Sequence, residues 1–111
     1  MNKTDTVYLD DISKAITAIE KYTKNVTFDQ FKKEQMRHDA VIRQLEIIGE
    51  AVNKLSSDFA SKNPNFPIRQ TISMRNFLIH GYDEVELDVV WKTTQENLPE
   101  LKLATRAALQ K

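Results

Sequence analysis

The stretch VIRQLEIIGEAVNKLSSDF, residues 41–59, decides the fold of this chain. Its apolar side chains recur every three or four residues and form one unbroken stripe: Val41, Leu45, Ile48, Val52, Leu55 and Phe59. This spacing predicts an amphipathic helix that buries one face in a core. We therefore predict one long helix over Glu34–Ser61, which ends before Pro64 and Pro67 because the residue preceding a proline disfavours helix.

Gly49 stands in the middle of this predicted helix, on the face next to the apolar stripe. A glycine in a helix interior costs about 1 kcal/mol relative to alanine. Its presence therefore predicts that another backbone approaches the helix closely at this position.

The segments on either side have the same helical period. We predict a first helix from about Asp5 to Lys24, followed by a short helix that Thr27 caps. A fourth helix is predicted from Pro67 to His80, with Gly81 as its left-handed C-terminal cap. A last helix is predicted from about Glu86 to the C-terminus.

Pro99 lies inside that last predicted helix. Proline has no amide hydrogen, so it removes the hydrogen bond to the carbonyl of Gln95 and should kink the helix. Asp83 and Asp88 are the candidates for its N-terminal cap.

The composition favours one domain over residues 1–111, an all-α, up-and-down helical bundle of four to five helices. The chain has no cysteine, which excludes disulfides and thiolate metal sites, and its two glycines cannot form a nucleotide-binding loop. It has no apolar run long enough to span a membrane and no secretion signal at its N-terminus. We expect a cytoplasmic protein without membrane contact.

The charges balance, with sixteen Lys and Arg against sixteen Asp and Glu. Neutrality argues against non-specific coating of nucleic acid, which depends on neutralising many phosphates, but it permits a small basic cleft. The candidates for contacts with an RNA backbone are Lys32, Lys33, Arg37, Arg43 and Arg69. A cluster of this size is more often solvated surface, and His38 beside it ranks low as a second titrating group.

Arg75 interrupts an apolar stripe of the fourth helix formed by isoleucines at positions 68, 72 and 79. A guanidinium stays charged, and burying it unpaired costs several kcal/mol. Arg75 must therefore pair with a carboxylate such as Glu46 or Glu50, extend to solvent, or face a cleft that admits an anion.

His80 and Asn76 lie four residues apart and are therefore neighbours on the helix surface. Arg75 and His80 are five apart, about 140° around the axis, and need not converge within one chain. The helix dipole at the C-terminal turn should raise the pKa of His80, which suits a proton donor near neutral pH. Arginine can hold phosphate oxygens bidentately and histidine can move a proton, so RNA with its own 2′-hydroxyl could be cleaved without a metal.

The segment MRNFLIHGY, residues 74–82, resembles the R-x4-H-x-Y signature of HepT-like toxins in the HEPN superfamily. The segment LEIIGEA, residues 45–51, resembles the third helix of that family, and residues 90–99 resemble its final helix. The resemblance spans nearly the whole chain in the right order.

The resemblance implies a HEPN-like helical homodimer that acts as a metal-independent, cofactor-free endoribonuclease, the toxin of a type VII-like toxin–antitoxin pair. By this resemblance Arg75 and His80 are the catalytic pair, supported by Asn76. Tyr82 is the tyrosine to which a partner nucleotidyltransferase antitoxin adds AMP. Two copies of the motif could then face one cleft across a two-fold axis. The alternative is a non-catalytic, substrate-binding partner of a minimal nucleotidyltransferase.

Overall fold

The computed structural model describes residues 1–80 and 86–110, without the side chains of Ile79 and His80, and every regular element in this part is helical. The helices are α1 (Lys3–Thr23), α2 (Phe28–Lys33), α3 (Gln35–Asn53), α4 (Ser57–Lys62), α5 (Ile68–His80), α6 (Leu87–Lys92) and α7 (Leu98–Leu109). A π-helical turn, Thr93–Asn97, joins α6 to α7. The prediction of an all-α bundle is confirmed.

The core lies between α1, α3, α5 and α7, with α3 at its centre because it packs against both α1 and α5. The predicted stripe of α3 and α4 is buried except for Leu55, which is half-buried. Side chains from α1 close the opposite side of the core: Leu9, Ile12, Ala15, Ile16 and Ile19.

Hydrogen bonds at both ends hold α1 and α3 antiparallel. At one end, the guanidinium of Arg37 donates to the carbonyl of Tyr22. At the other end, Asp5 accepts from the amide of Ser56 at 2.9 Å and from its hydroxyl at 2.6 Å. Because each pair joins the start of one helix to the end of the other, the relative orientation of the two helices is fixed.

The predicted single helix over Glu34–Ser61 is wrong in its middle, since α3 ends at Asn53 and α4 begins at Ser57. Ser56 is the N-cap of α4, and its hydroxyl accepts from the amide of Phe59 at 3.0 Å. In a continuous helix the amide of Ser56 would bond to Val52, but here it donates to Asp5. Two side-chain hydrogen bonds therefore replace one turn of helix.

Thr27 caps α2 as predicted, in a capping box with Gln30. The helix thereby presents Phe28 and Phe31 to Trp91 of α6, with ring centroids 6.2 and 5.1 Å from the tryptophan. This aromatic cluster packs the start of the C-terminal helices against α2.

The C-terminal helical segment is irregular at the predicted place. The amide of Leu98 donates to the carbonyl of Thr93, five residues earlier, and Pro99 has no amide hydrogen to donate. The predicted irregularity at Pro99 therefore takes the form of a π-helical turn immediately before it. The N-cap of α6 is Glu86, without a side-chain cap; Asp88 lies in the first turn, and Asp83 falls outside the described residues.

The path of α5 relative to α3 positions the candidate site. Phe66, two residues before α5, packs edge-on against Phe59 of α4 with centroids 5.2 Å apart, so α5 begins near the end of α3. Seven residues later, at Arg75, α5 lies against Gly49 of α3. The two helices therefore run antiparallel, and the C-terminal end of α5 points toward the first half of α3. Within the described ranges, none of the helices has the length and apolar content needed to cross a bilayer.

Candidate functional site

The aliphatic stem of Arg75 lies flat across Gly49. A Cβ atom placed on Gly49 would be 2.8 Å from Cγ and 3.3 Å from Cδ of Arg75, and closer still to its Cβ. The sequence predicted that another backbone comes close at this glycine; the atoms nearest to an added Cβ belong instead to the side chain of Arg75, beginning with its Cβ. Gly49 therefore allows α5 to approach α3 with Arg75 between the two helices.

The guanidinium of Arg75 is poorly satisfied by its surroundings. Its Nε atom is buried and has no hydrogen-bond partner among the described residues. Its Nη1 atom donates to Oδ1 of Asn76 at 3.4 Å, a long and therefore weak hydrogen bond. The side chain as a whole is half-buried, so an anion arriving from solvent could accept hydrogen bonds from the outer nitrogens of the guanidinium but not from the buried Nε.

The alternative of an ion pair from Arg75 to Glu46 or Glu50 is not found in the part of the chain that the structure describes. Both carboxylates are nearest to Arg43, whose Nη1 lies 3.8 Å from Glu46 and 4.0 Å from Glu50. Glu46, Gly49 and Glu50 lie one turn or less apart on α3, and an arginine that crosses Gly49 is within one turn of both acids. Among the described residues, the guanidinium of Arg75 therefore has no carboxylate partner, whereas Arg43 has two acidic neighbours.

His80 is the final residue of α5, as predicted. It follows Arg75 by five residues, which is about 7.5 Å along the helix axis. Because α5 and α3 are antiparallel, the backbone of His80 lies closer than Arg75 does to the N-terminal half of α3. Gly81 and Tyr82, the predicted cap and modified tyrosine, fall outside the described residues, as does the side chain of His80.

The other predicted RNA-contact residues do not form one patch. Arg37 precedes Gly49 by twelve residues, about 18 Å along α3, and its guanidinium is bound to Tyr22 and Glu34. Lys33 pairs with Asp29 at 2.9 Å, and Lys32 is exposed on the same short helix. Arg69 is exposed in the first turn of α5. Of the two candidates on α3, Arg43 is the nearer to Gly49, six residues before it or about 9 Å along the helix axis.

His38 has a structural role. Its Nδ1 atom lies 3.1 Å from the carbonyl of Phe31, and its ring contacts the ring of Phe31 edge-on. These contacts join α2 to α3 at the end of the molecule away from Gly49, which agrees with the low rank of His38 as a titrating group at the site.

A cavity of about 160 Å³ lies on the other side of α5, between that helix and α7. It is lined by Ile48, Pro67, Gln70, Thr71, Met74, Thr93, Asn97, Leu98, Glu100 and Leu101. Among its described lining residues only Glu100 is charged, and a carboxylate does not favour a phosphate. In the described ranges, no group of three His, Asp or Glu is placed to hold a metal ion.

Sequence reasoning predicted Arg75, Asn76 and His80 as site residues, but it missed two features of the surroundings of Arg75. The contact between Gly49 and Arg75 was signalled only by the cost of a mid-helix glycine, which does not identify the partner. The pairing of Glu46 and Glu50 with Arg43 was signalled by their spacing on one helix face, since Arg43 and Glu46 are three residues apart.

Among the described residues, the feature that stands out from a plain all-α bundle is Arg75, a candidate anion-binding residue with no ion pair in this part of the chain. A family model described as ribonuclease HepT-like matches residues 12–108. The chain belongs to this HepT-like ribonuclease family of the HEPN superfamily.

Curated relatives agree with the family assignment. The chain is 42% identical over 102 residues to the "Probable ribonuclease HepT" of Thermococcus cleftensis, covering 92% of this chain and 93% of that protein. It is 37% identical over 103 residues to a "Putative RNase" of Methanocaldococcus jannaschii, covering 92% and 94%. A "Gamma-glutamylcyclotransferase and putative RNase" of the same organism is 39% identical over 102 residues, but the match covers only 46% of that longer protein. A comparison with solved structures finds no significant match.

Proposed function

We propose that this protein is a metal-independent endoribonuclease that uses Arg75 and His80 as its catalytic pair, with Asn76 in support. The observation that carries the proposal is the guanidinium of Arg75, half-buried with an unpartnered Nε and no ion pair among the described residues. The family assignment and the names of the relatives support RNA as the substrate.

The chemistry follows from the two groups. The RNA 2′-hydroxyl attacks the adjacent phosphorus and forms a new P–O2′ bond, while the P–O5′ bond breaks. Arg75 holds the non-bridging oxygens and stabilises the charge that develops on them. His80 acts as a shared acid and base, taking the proton of the 2′-hydroxyl and returning one to the departing 5′-oxygen. The products are a 2′,3′-cyclic phosphate and a 5′-hydroxyl.

The active form in this proposal is a homodimer. Arg75 and His80 are about 140° apart around α5, so they diverge within one chain. A two-fold axis near α5 would place the arginine of one copy beside the histidine of the other and give two motifs one cleft. In this proposal Arg43, near the middle of α3, contacts the RNA backbone beside this cleft, with Lys32, Lys33, Arg37 and Arg69 as further contacts.

The proposed biological role is the cytoplasmic toxin of a type VII-like toxin–antitoxin pair. A partner nucleotidyltransferase would silence it by adding AMP to Tyr82, two residues after His80. The added phosphate is negative and would compete with RNA for the cationic site. Tyr82→Phe should abolish AMP addition by the partner enzyme, measured by intact mass; unchanged addition to this variant would exclude Tyr82 as the acceptor.

The test of the proposed function is cleavage of a labelled single-stranded RNA in the presence of EDTA. Removing a positioned acid–base or charge-stabilising group typically costs two or more orders of magnitude, so we expect Arg75→Ala and His80→Ala to lower kcat at least about 100-fold. Arg75→Lys should also be impaired, because an ammonium cannot bind phosphate bidentately. Lys14→Ala, which removes an exposed cation paired with Asp10, is the matched control and should cleave normally.

Two outcomes would contradict the proposal. Cleavage by a folded His80→Ala protein at the wild-type rate would remove His80 from the mechanism. Absence of cleavage by the wild-type dimer, together with a tight complex with a nucleotidyltransferase, would favour the non-catalytic partner subunit.

A further inference from the structure

We propose that Gly49 is a positioning residue for the RNA-cleaving site: the missing side chain at this point of α3 fixes where α5 presents the guanidinium of Arg75. The expected effect on RNA cleavage rests on the proposed ribonuclease function. The effect of Gly49 on the position of Arg75 rests on the packing of α5 against α3. Gly49 itself touches neither substrate nor reacting atoms.

Three consecutive carbon atoms of Arg75 lie over Gly49. The space that a Cβ of residue 49 would occupy is already filled by Cβ, Cγ and Cδ of the arginine. The overlap is greatest at the Cβ of Arg75, which is attached directly to the backbone of α5. Side-chain rotation moves Cγ and Cδ but leaves Cβ in place, so a methyl group at position 49 can be accommodated only if α5 moves away from α3.

Other residues along the same crossing keep the two helices in contact on either side of Arg75. A displacement caused at Gly49 is therefore concentrated at Arg75. Ile42, Leu45 and Ile48 of α3 are buried in the core, as is Leu78 of α5. These contacts anchor α5 on the turn after Arg75, and Thr71 is buried on the turn before it. An added methyl therefore pushes α5 outward at Arg75 while its flanking turns stay docked.

Such a shift bears directly on the proposed chemistry. The Nε atom of Arg75 is buried beside α3 and only the outer part of the guanidinium reaches solvent. Separating the helices moves the guanidinium relative to His80 and lets water reach Nε. A displacement of about 1 Å in a catalytic group can cost about 100-fold in rate, so a small backbone movement is sufficient.

The first experiment compares Gly49→Ala with the wild type at a temperature where circular dichroism finds both fully folded. We expect kcat for RNA cleavage to fall at least about tenfold with KM changed less than about threefold, because the group that moves acts on the transition state. Asn53→Ala, an exposed substitution one turn further along α3, is the matched control and should retain the wild-type kcat and KM.

A double-mutant cycle separates the helix contact from catalysis. In the wild-type background, Gly49→Ala should lower the urea midpoint of unfolding. In an Arg75→Gly background the same substitution should leave the midpoint unchanged or raise it, since the overlapping atoms are gone and alanine favours helix over glycine. In an Arg75→Lys background the loss should persist, because lysine keeps Cβ, Cγ and Cδ. If Gly49→Ala alone does not fold, the cycle remains informative, because we expect the double variant Gly49→Ala/Arg75→Gly to fold.

The Nε–H signal of Arg75 in a proton–nitrogen NMR spectrum gives a third measurement that needs no RNA. A buried Nε–H should exchange slowly in the wild type and faster in Gly49→Ala, while backbone amides of α1 keep their shifts. A midpoint loss that is equal in all three Arg75 backgrounds, or an unchanged kcat in folded Gly49→Ala, would overturn the positioning role. If the wild type cleaves no RNA, the proposed function fails, and the positioning of Arg75 still stands or falls by the cycle and the NMR signal.

Discussion

At the scale of single residues, Asp5 does more for the fold than its place in a first helical turn predicts. The residue is only 2% exposed, and its carboxylate accepts two hydrogen bonds from Ser56, fifty-one positions later in the chain. Its own amide donates to the N-cap Asn2 at 2.7 Å. Such a long-range partnership leaves no periodic signal, so sequence spacing could not reveal it.

Asp5→Ala should lower the free energy of unfolding by about 1–3 kcal/mol, because the amide and hydroxyl of Ser56 lose their buried acceptor. Urea denaturation followed by circular dichroism measures the change. Asp10→Ala removes an exposed carboxylate paired with Lys14 on the same helix and should change the value by no more than about 0.5 kcal/mol. Equal losses in both variants would contradict the role given to Asp5.

Arg75 illustrates what could be predicted at this scale. Sequence alone identified it as anomalous, since a fixed charge stood among isoleucines, and it left open a pairing with Glu46 or Glu50. Only the packing of α5 on α3 brings its stem over Gly49, and only the neighbouring Arg43 explains where the two carboxylates lie. Periodicity identifies the face of a helix but not the residue opposite.

At the scale of secondary structure, the predicted helices exist, and their errors have one cause. The apolar stripe of residues 41–59 continues through Leu55 to Phe59 even though the backbone leaves the helix at Lys54. The stripe survives because the turn between α3 and α4 still directs both side chains inward. Apolar spacing therefore located the buried face correctly and missed the interruption, which hydrogen bonds of Ser56 impose.

Pro99 provides the prediction for the C-terminal helices. It lies in the first turn of α7, directly after the π-helical turn. At this position the helix does not need an amide donor from Pro99. Pro99→Ala should therefore change the free energy of unfolding by less than about 1 kcal/mol, whereas Leu103→Pro, at an exposed position inside α7, should lower it by about 3 kcal/mol or more. Urea denaturation compares the two, and a large gain in stability from Pro99→Ala would mean that the π turn stores strain.

At the scale of the whole molecule, zero net charge limits how RNA can be held. Seven of the fifteen described Lys and Arg residues already contact an acid: Lys14, Lys33, Arg37, Arg43, Lys62, Lys92 and Lys102. We expect the proposed dimer to bind RNA through few phosphate contacts, chiefly two copies each of Arg75 and Arg43. Arg43 would then exchange its long contacts with Glu46 and Glu50 for a phosphate. Specific positioning, with little long-range attraction, should govern its affinity.

This arrangement predicts a shallow salt dependence. Single-stranded RNA releases counterions with a slope of about −0.7 per phosphate neutralised, so four contacts give about −3 in a plot of log affinity against log salt. Arg43→Gln should reduce the slope to about −1.5, since two contacts per dimer are lost. Fluorescence anisotropy in a His80→Ala background measures binding without cleavage, and Lys62→Gln is the control. A slope steeper than about −6 would require a basic surface beyond this site.

The chain contains one tryptophan, and it lies in the aromatic cluster where Phe28 and Phe31 of α2 meet α6. Its indole fluorescence therefore reports on one contact, the packing of the C-terminal helices against α2. Emission excited near the red edge of protein absorption will follow the release of this contact without an added label. Circular dichroism follows all helices at once. A comparison of the two signals shows whether the C-terminal segment detaches before α1 and α3, which hydrogen bonds join at both ends, unfold.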